Sequence, residues 1–446
     1  MLPLTIVVFG ATGDLFKKKL TEAFFDICQK KRVFETYTII GLSRKLLSHS
    51  EFRERAKLAL AHIGQEDEVN SFLEHLYYYS IDATDLNSLT DLREILDKVD
   101  QGFGASSNKL FYIATVPGTY EEIFKNISLS GLSLPCIGSL RHTTPWIRIV
   151  VEKPFGSNLT NALALDELLG QSFKEDQIYR IDHYLAKETV QAIYAFRFEN
   201  TLFGDIWNKE NIEKVHIFAF EDEKKDSIES RKVFYDAVGA LRDFGQNHLL
   251  ELLSLIAMKK AFVSEIRLQR AQTLSQTGLR DVSDVVFGQY EGYKTAGFET
   301  SQTETYFRAE LFVENDEWTG VPFVLEHGKM LNQTKTGISV FFKSVAEKPN
   351  AIHFLIQPDA SICVDLNVND DTSKQMCFDL GNKENQFIYP YEKLLLDLLA
   401  GDQTLFVSTD EVKEQWRIAE AIQQKGKTQT LQVYQKGVDP KEIQNK

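Results

Sequence analysis

The chain has 446 residues, more than one hydrophobic core usually organises, so two domains are expected. A hydrophobic share of 43% beside 26% charged residues is that of a globular protein and excludes wholesale disorder or a fibrous repeat. Lys and Arg number 50 against 64 Asp and Glu; the net charge of -14 argues against nucleic acid as a partner, and any small anionic substrate must meet a local cluster of cations.

In chain order, Leu4–Phe9 is an apolar run of strand length that ends at Gly10. Residues 15–31 then carry Leu15, Leu20, Phe24 and Ile27 at helical spacing. Further strands are expected at 38–42, 110–115 and 147–151 with helix-like segments between them. Such alternation over about the first 175 residues predicts a parallel sheet covered by helices. Beyond it, β-rich runs at 215–220, 304–313, 337–343, 352–357 and 361–367 come with few helices, notably 246–260 and 390–400. That texture predicts a mostly antiparallel sheet with helices on one side. The boundary is expected near 175–185, dividing the chain into domains 1–180 and 181–446.

Apolar stretches such as Leu4–Phe9 and Leu249–Met258 fall short of the ~18 residues that span a bilayer. The N-terminus shows neither a basic n-region nor a small-residue cleavage site, so a cytoplasmic chain with no membrane partner is expected. Cys28, Cys136, Cys363 and Cys377 are far apart and form no CxxC pair, which predicts reduced thiols in packing roles.

Five groups of residues could carry chemistry. Gly10-Ala11-Thr12-Gly13-Asp14-Leu15 follows the first buried strand and opens a helix; glycine there lets backbone N–H groups approach a pyrophosphate. The second strand ends Ser43-Arg44-Lys45, with two cations and no carboxylate, which favours NADP and its 2′-phosphate over NAD; the plainer reading is two surface cations opening a helix. Glu152-Lys153-Pro154-Phe155-Gly156 follows the strand Ile147–Val151, where open α/β sheets bind ligands. Lys153 precedes a proline, and the bond between them is a candidate for cis. Arg180-Ile181-Asp182-His183-Tyr184-Leu185-Ala186-Lys187-Glu188 gathers phosphate-competent donors, and a helix from about 184 would put Tyr184 and Lys187 on one face. A charged helix cap explains this group equally well. Finally, His248 follows Arg242-Asp243-Phe244-Gly245-Gln246-Asn247 at a helix entry, where a neutral imidazole can accept a hydroxyl proton. The nine histidines show no HxxxH or HExxH spacing, so no catalytic metal is expected.

These strings, together with Gly320-Val321-Pro322-Phe323 and Gly328-Lys329, are in their order and spacing similar to the glucose-6-phosphate dehydrogenase family from about residue 4 to about 435. The resemblance implies a Rossmann-like coenzyme domain, an α+β domain with a large antiparallel sheet through which subunits pair as a homodimer or homotetramer, and oxidation of glucose 6-phosphate at C1 with NADP, or more weakly NAD. It implies His248 as general base and Asp182 as the carboxylate that orients it. His183, Tyr184 and Lys187 look like the phosphate clamp, Glu221, Asp243 and Lys329 match residues that hold sugar hydroxyls, and Lys153 matches a lysine bridging substrate and coenzyme. Gly10 to Leu15, Lys17, Arg44 and Asp82-Ala83 lie where the family binds NADP, and Tyr391 matches a tyrosine of the same cleft.

The chain departs from the family pattern in several places. Phe16 stands where Ala is usual, and Ala186 where Gly is common. Residues 222–228 form a longer connection, Glu326 replaces a common Arg, and Thr334 replaces a second substrate cation, with Lys335 beside it as a stand-in. Weakened cations near an anionic substrate would raise KM more readily than abolish the chemistry. The competing readings are a dehydrogenase of a related sugar or sugar phosphate, and an inactive NADP-binding regulatory paralogue.

Overall fold

The computed structural model describes residues 2–134, 144–224, 228, 231–280, 285–295, 297–344, 349–369, 372–381 and 390–444. They fall into two units, divided between His183 and Tyr184, and the chain re-enters the first unit for the stretch that ends at Thr409. Among the described residues, no helix is long and apolar enough to cross a membrane.

In the first unit, β1 (Leu4–Phe9), β2 (Tyr37–Ser43), β3 (Leu76–Ser80), β4 (Asn108–Ile113), β5 (Ile147–Val151) and β6 (Ile178–Ile181) lie parallel in the order β6-β5-β4-β1-β2-β3. β1 and β4 are buried along their whole length, as strands covered on both faces must be, hence the apolar runs Ile6–Phe9 and Leu110–Ile113 within them. The order reverses between β1 and β4, and Phe9 pairs with both Leu42 and Ile113. Three strand ends therefore lie side by side at the switch point, where such sheets open a crevice.

A seventh strand, β16 (Phe406–Val407), runs antiparallel to β6. The division into 1–180 and 181–446 is thus corrected: the helix Pro390–Ala400 and β16 belong to the first unit. Lys31 pairs with buried Glu392 of that helix at 2.6 Å, and the Arg148 guanidinium donates to the carbonyls of Leu398 and Leu399. These contacts hold the returning segment where a contiguous division would leave β6 as an open edge.

The second unit is built on β7 (Ile212–Asp222), β8 (Thr277–Gly278), β9 (Val285–Tyr290), β10 (Tyr306–Val313), β11 (Pro322–Leu331), β12 (Lys335–Phe342), β13 (Ala351–Gln357), β14 (Ser361–Asn369), β15 (Thr372–Asp379) and β17 (Gln432–Tyr434). Their order is β15-β14-β13-β12-β7-β11-β10-β9-β17, with β8 beside β10. Pairing is antiparallel except for β7 with β11 and β9 with β17. β3, β6, β9, β11 and β15 lie outside the strands the sequence suggested.

The expectation of reduced thiols fails at one pair. Cys363 of β14 and Cys377 of β15 face each other in register and are joined by a disulfide. Directly opposed residues of antiparallel strands bring their side chains together, a proximity that spacing along the chain does not reveal. Cys28 is a free buried thiol whose pKa burial pushes up to about 12, and Cys136 lies outside the described residues.

The helix that carries His248 begins earlier than 246, as wide π-type turns over Leu241–Leu249 that continue into an α-helix at Leu250–Ala257. A buried ionic network anchors it. Arg270 Nε donates to Glu411 Oε1 at 2.5 Å and lies 3.7 Å from Glu251 Oε2, while Gln415 Nε2 donates to Glu251 Oε1. All four side chains are buried. Removing the cation between two buried carboxylates typically costs about 3–5 kcal/mol, so Arg270→Met should lower the urea midpoint by a corresponding amount. Urea unfolding followed by circular dichroism checks this; an unchanged midpoint would contradict it.

Candidate active site

At the carboxyl end of β1, Gly10 has φ of 85°, and a Cβ there would stand 2.6 Å from the Ala114 carbonyl oxygen. Only glycine lets the chain turn this close to the β4 end. The turn borders a cleft of about 280 Å³ at the switch point, lined among others by Gly10, Thr12, Gly13, Arg44, Asp82 and Ala83. Arg44 and Lys45 are exposed at its rim, and β2 ends without a carboxylate. Asp82 Oδ1 accepts from the Thr84 N–H at 3.0 Å and the Thr84 hydroxyl at 2.7 Å, which fixes the opposite wall. The missing Cβ at Gly10 and the cationic rim fit a nicotinamide dinucleotide.

The other expected coenzyme residues take different places. Ala11 and Lys17 line a neighbouring hollow with Phe16 and Phe52. Asp14 is exposed and pairs with Lys18 at 2.8 Å, and Leu15 is half-buried. Phe16 is buried and stacks on Phe52 at 5.3 Å, so its ring packs between two helices rather than lining the coenzyme cleft.

β5 delivers Glu152 and Lys153 at its carboxyl end, and the Lys153-Pro154 bond is cis. The Tyr112 hydroxyl donates to Glu152 Oε1 at 2.6 Å, and the Tyr120 hydroxyl donates to the Glu152 carbonyl at 3.1 Å. Burial pushes the Glu152 carboxyl up to about 7, with the negative Asp182 adding to the effect against the Tyr112 hydrogen bond and Lys153. β6 ends at Ile181 and presents Asp182, which is buried. His183 stacks parallel to Tyr391, 6.4 Å between centroids. Burial raises the Tyr391 phenol, and Glu152 and Asp182 raise it further, so it stays neutral.

Residues 183–187 form a turn, and the helix begins only at Glu188 with Lys187 as its N-cap. The expected helix from 184 is corrected accordingly, yet the turn still joins the two donors. The Lys187 N–H donates to the Tyr184 carbonyl at 3.1 Å, and Lys187 Nζ lies 3.7 Å from the Tyr184 ring centroid. Ala186 adopts no positive φ, so the turn demands no glycine there. Tyr184 also stacks on His248 at 4.0 Å, and both are buried.

Side-chain alternation brings the remaining residues together. Glu221 of β7 and Lys329 of β11 share a face and are ion-paired, and Asp243 Oδ2 stands 3.9 Å from Lys329 Nζ. Arg231 approaches the same Asp243 oxygen at 3.4 Å. The longer connection after Glu221 does not disturb this pairing; its residues 225–227 lie outside the described residues.

Lys335 does not join them. It opposes Phe220 across the β12–β7 pair, and its ammonium lies 5.8 Å from the Phe218 ring, on the face turned away from Glu221 and Lys329. Thr334 accepts the Asp222 N–H at 3.1 Å. Glu326 also lies on that far face, buried, bonded to His216 Nε2 at 2.8 Å and to the Tyr306 hydroxyl at 2.6 Å, so its negative charge does not face Lys329.

His327 escaped the sequence reading. Two positions before Lys329, it shares that residue's face, a signal the strand period carries. Its Nδ1 bonds the Ala219 carbonyl at 2.6 Å and its ring stacks on Phe244 at 4.2 Å. Burial, then Lys329, pulls its pKa down to about 4, so the ring is neutral at physiological pH.

The model of the glucose-6-phosphate dehydrogenase NAD binding domain matches residues 7–192, and that of the family's C-terminal domain matches 194–445. A glucose-6-phosphate 1-dehydrogenase of Chlamydia muridarum is 34% identical, covering 93% of this chain and 89% of the relative. One from Borreliella burgdorferi is 35% identical, covering 94% and 91%. A solved glucose-6-phosphate dehydrogenase in complex with its substrate glucose-6-phosphate superposes with a TM-score of 0.88 at 29% identity, over 99% of this chain and 97% of that one.

The raised Glu152 carboxyl has a measurable consequence. Between the ordinary carboxylate range and about 7, the folded chain keeps a proton that the unfolded chain releases, so this group's contribution to stability falls as pH rises through that window. Glu152→Gln, which stays neutral, should be more stable than the wild type at pH 8 by on the order of 3 kcal/mol and equal to it near pH 4. Urea titrations at both pH values test this; a difference that does not grow with pH would refute it.

Proposed function

This chain belongs to the glucose-6-phosphate dehydrogenase family, and from that membership we propose that it is a cytoplasmic enzyme oxidising glucose 6-phosphate at C1 to 6-phosphogluconolactone with NADP as hydride acceptor. The observation that carries the reading is His248, a buried imidazole stacked on Tyr184, whose ring lies under the Lys187 ammonium.

Oxidising the C1 hydroxyl removes a proton from oxygen and a hydride from carbon. NADP, when bound, supplies the ring that takes the hydride; the residues must bind, orient and take the proton. His248 accepts the hydroxyl proton as the C1–O bond becomes a carbonyl. Asp182, two residues before Tyr184 in the chain, orients the imidazole and stabilises its cation. Tyr184, Lys187 and His183 hold the phosphate through charge-assisted hydrogen bonds, and this distant binding fixes C1. Glu221, Asp243 and Lys329 hold the sugar hydroxyls, the ion pairs among them keeping each side chain in place before substrate arrives. Lys153 bridges sugar and coenzyme.

NADP over NAD is supported by Arg44 and Lys45 at the rim and by the absence of a carboxylate at the end of β2. Homodimer formation through the large sheet is part of the proposal. Leu366 of β14 and Met376 and Phe378 of β15 expose apolar side chains at its outer edge, on one face.

Rates of coenzyme reduction with glucose 6-phosphate, measured with NADP and with NAD, should favour NADP in kcat/KM. His248→Asn should lower kcat at least ~10²-fold with little change in KM; a change in KM alone would make His248 a binding residue. Phe378→Asp should shift sedimentation toward the monomer, whereas a wild type already monomeric would defeat the dimer.

A further inference from the structure

We propose that Tyr78 is a positioning residue for the coenzyme's 2′-phosphate, holding the loop that carries Arg44 and Lys45 through a closed hydrogen-bond circuit. The inference rests on the NADP reading above and deepens it.

Tyr78 lies on β3, buried, beside β2 with its Cα paired to Gly41. Its hydroxyl oxygen stands 2.7 Å from Ser43 Oγ and 2.6 Å from the Lys45 carbonyl oxygen. Ser43 Oγ also accepts from the Lys45 N–H at 3.2 Å and from the Thr12 hydroxyl at 3.0 Å. Counting protons fixes every direction. A carbonyl can only accept, so the phenol proton goes to the Lys45 carbonyl, with the Ser43 carbonyl at 3.3 Å as a second, longer acceptor of the same proton. Ser43 must then donate its own proton to the phenol oxygen, and its two lone pairs are left for the Lys45 N–H and Thr12.

The peptide groups of Lys45 are thus held at both N–H and C=O, and Arg44 is pinned between two tethered residues while its side chain remains exposed at the cleft. Thr12 extends the circuit to the glycine turn at the end of β1. Beneath it, Tyr78 packs on Phe52 at 5.1 Å and Phe52 stacks on Phe16. Gly41 makes room for this wedge, since a Cβ there would come 2.5 Å from Phe52 Cζ. Phe16 is the base of the stack that supports the loop. Long cationic side chains on a loose loop would lose backbone as well as rotamer freedom on binding phosphate; a pre-ordered loop loses less. Tyr78 therefore strengthens 2′-phosphate binding without touching the phosphate.

Tyr78→Phe keeps the ring and its packing and opens the circuit. Calorimetric binding of 2′,5′-ADP and 5′-AMP separates the 2′-phosphate from the rest of the nucleotide. We expect the wild type to prefer 2′,5′-ADP, and Tyr78→Phe to lose roughly tenfold of that affinity, the scale of one lost hydrogen bond, while 5′-AMP binds as before. KM for NADP should rise with kcat unchanged. Ser43→Ala breaks the same circuit from its other side and should give the same selective loss, so the test survives a folding defect in either variant. Equal losses for both nucleotides, or none, would overturn the role of Tyr78. A wild type without preference for 2′,5′-ADP would defeat the NADP reading itself; a preference kept intact by both variants would defeat the positioning role alone.

Discussion

Arg180 is a buried guanidinium one residue from the end of β6, and much of the first unit's site depends on where it is held. It bonds Asp166 of the preceding helix, Glu175 at 3.1 Å and the Thr409 hydroxyl at 3.0 Å, and lies 5.0 Å from the Phe155 ring. A cation so buried is tolerable only when it is paired in this way, and breaking the set would leave charge in the interior. In return the last strand of the parallel sheet has a fixed terminus. Asp182 and His183 emerge from it, and Tyr184, the next residue, begins the second unit. The arginine of the Arg-Ile-Asp-His-Tyr string is thereby an anchor, and the donors after it are what the anchor presents.

Electrostatics of the same kind govern the second unit. Lys329 is buried but faces Glu221 and Asp243, so its charge is balanced and its ammonium directed. The far face of the same two strands holds a different pair, Glu326 with His216. Parity along the strand decides which of the two groups a side chain joins. Glu326, bonded to His216 and Tyr306, and Phe16, stacked on Phe52, both pack away from the Lys329 pair and the switch-point cleft.

How much of this could be read in advance follows from how each element announces itself. β1 and β5 are mostly apolar runs of strand length and were legible to the residue; Gly10 and the helix Pro390–Ala400 were as well. β11 was hidden because its centre reads Glu326-His327-Gly328-Lys329, polar groups whose partners sit on other strands, so the period of two is masked by residues that local pattern assigns to the surface. β15 was hidden by its polar sequence at a sheet edge, and with it went the register that pairs Cys363 with Cys377. The start of the helix at Glu188 was missed because Tyr184-Leu185-Ala186-Lys187 suits a helix as well as a turn. Lys335 was misjudged for want of a register, because whether a residue faces a site turns on one position of parity that composition does not carry.

The return of the chain to its first unit bears on how the protein is made. β6 gains its last neighbour, β16, only when Phe406–Val407 has been synthesised, and the helix that pairs with Lys31 and Arg148 lies just before it. Domains tend to fold in order as they leave the ribosome. Here the nucleotide-binding unit cannot complete its sheet until about nine-tenths of the chain has emerged, after the whole large sheet except β17. The unit that begins first is finished nearly last, so a nascent or truncated chain cut at the obvious boundary would carry an unpaired strand edge in place of a finished coenzyme fold.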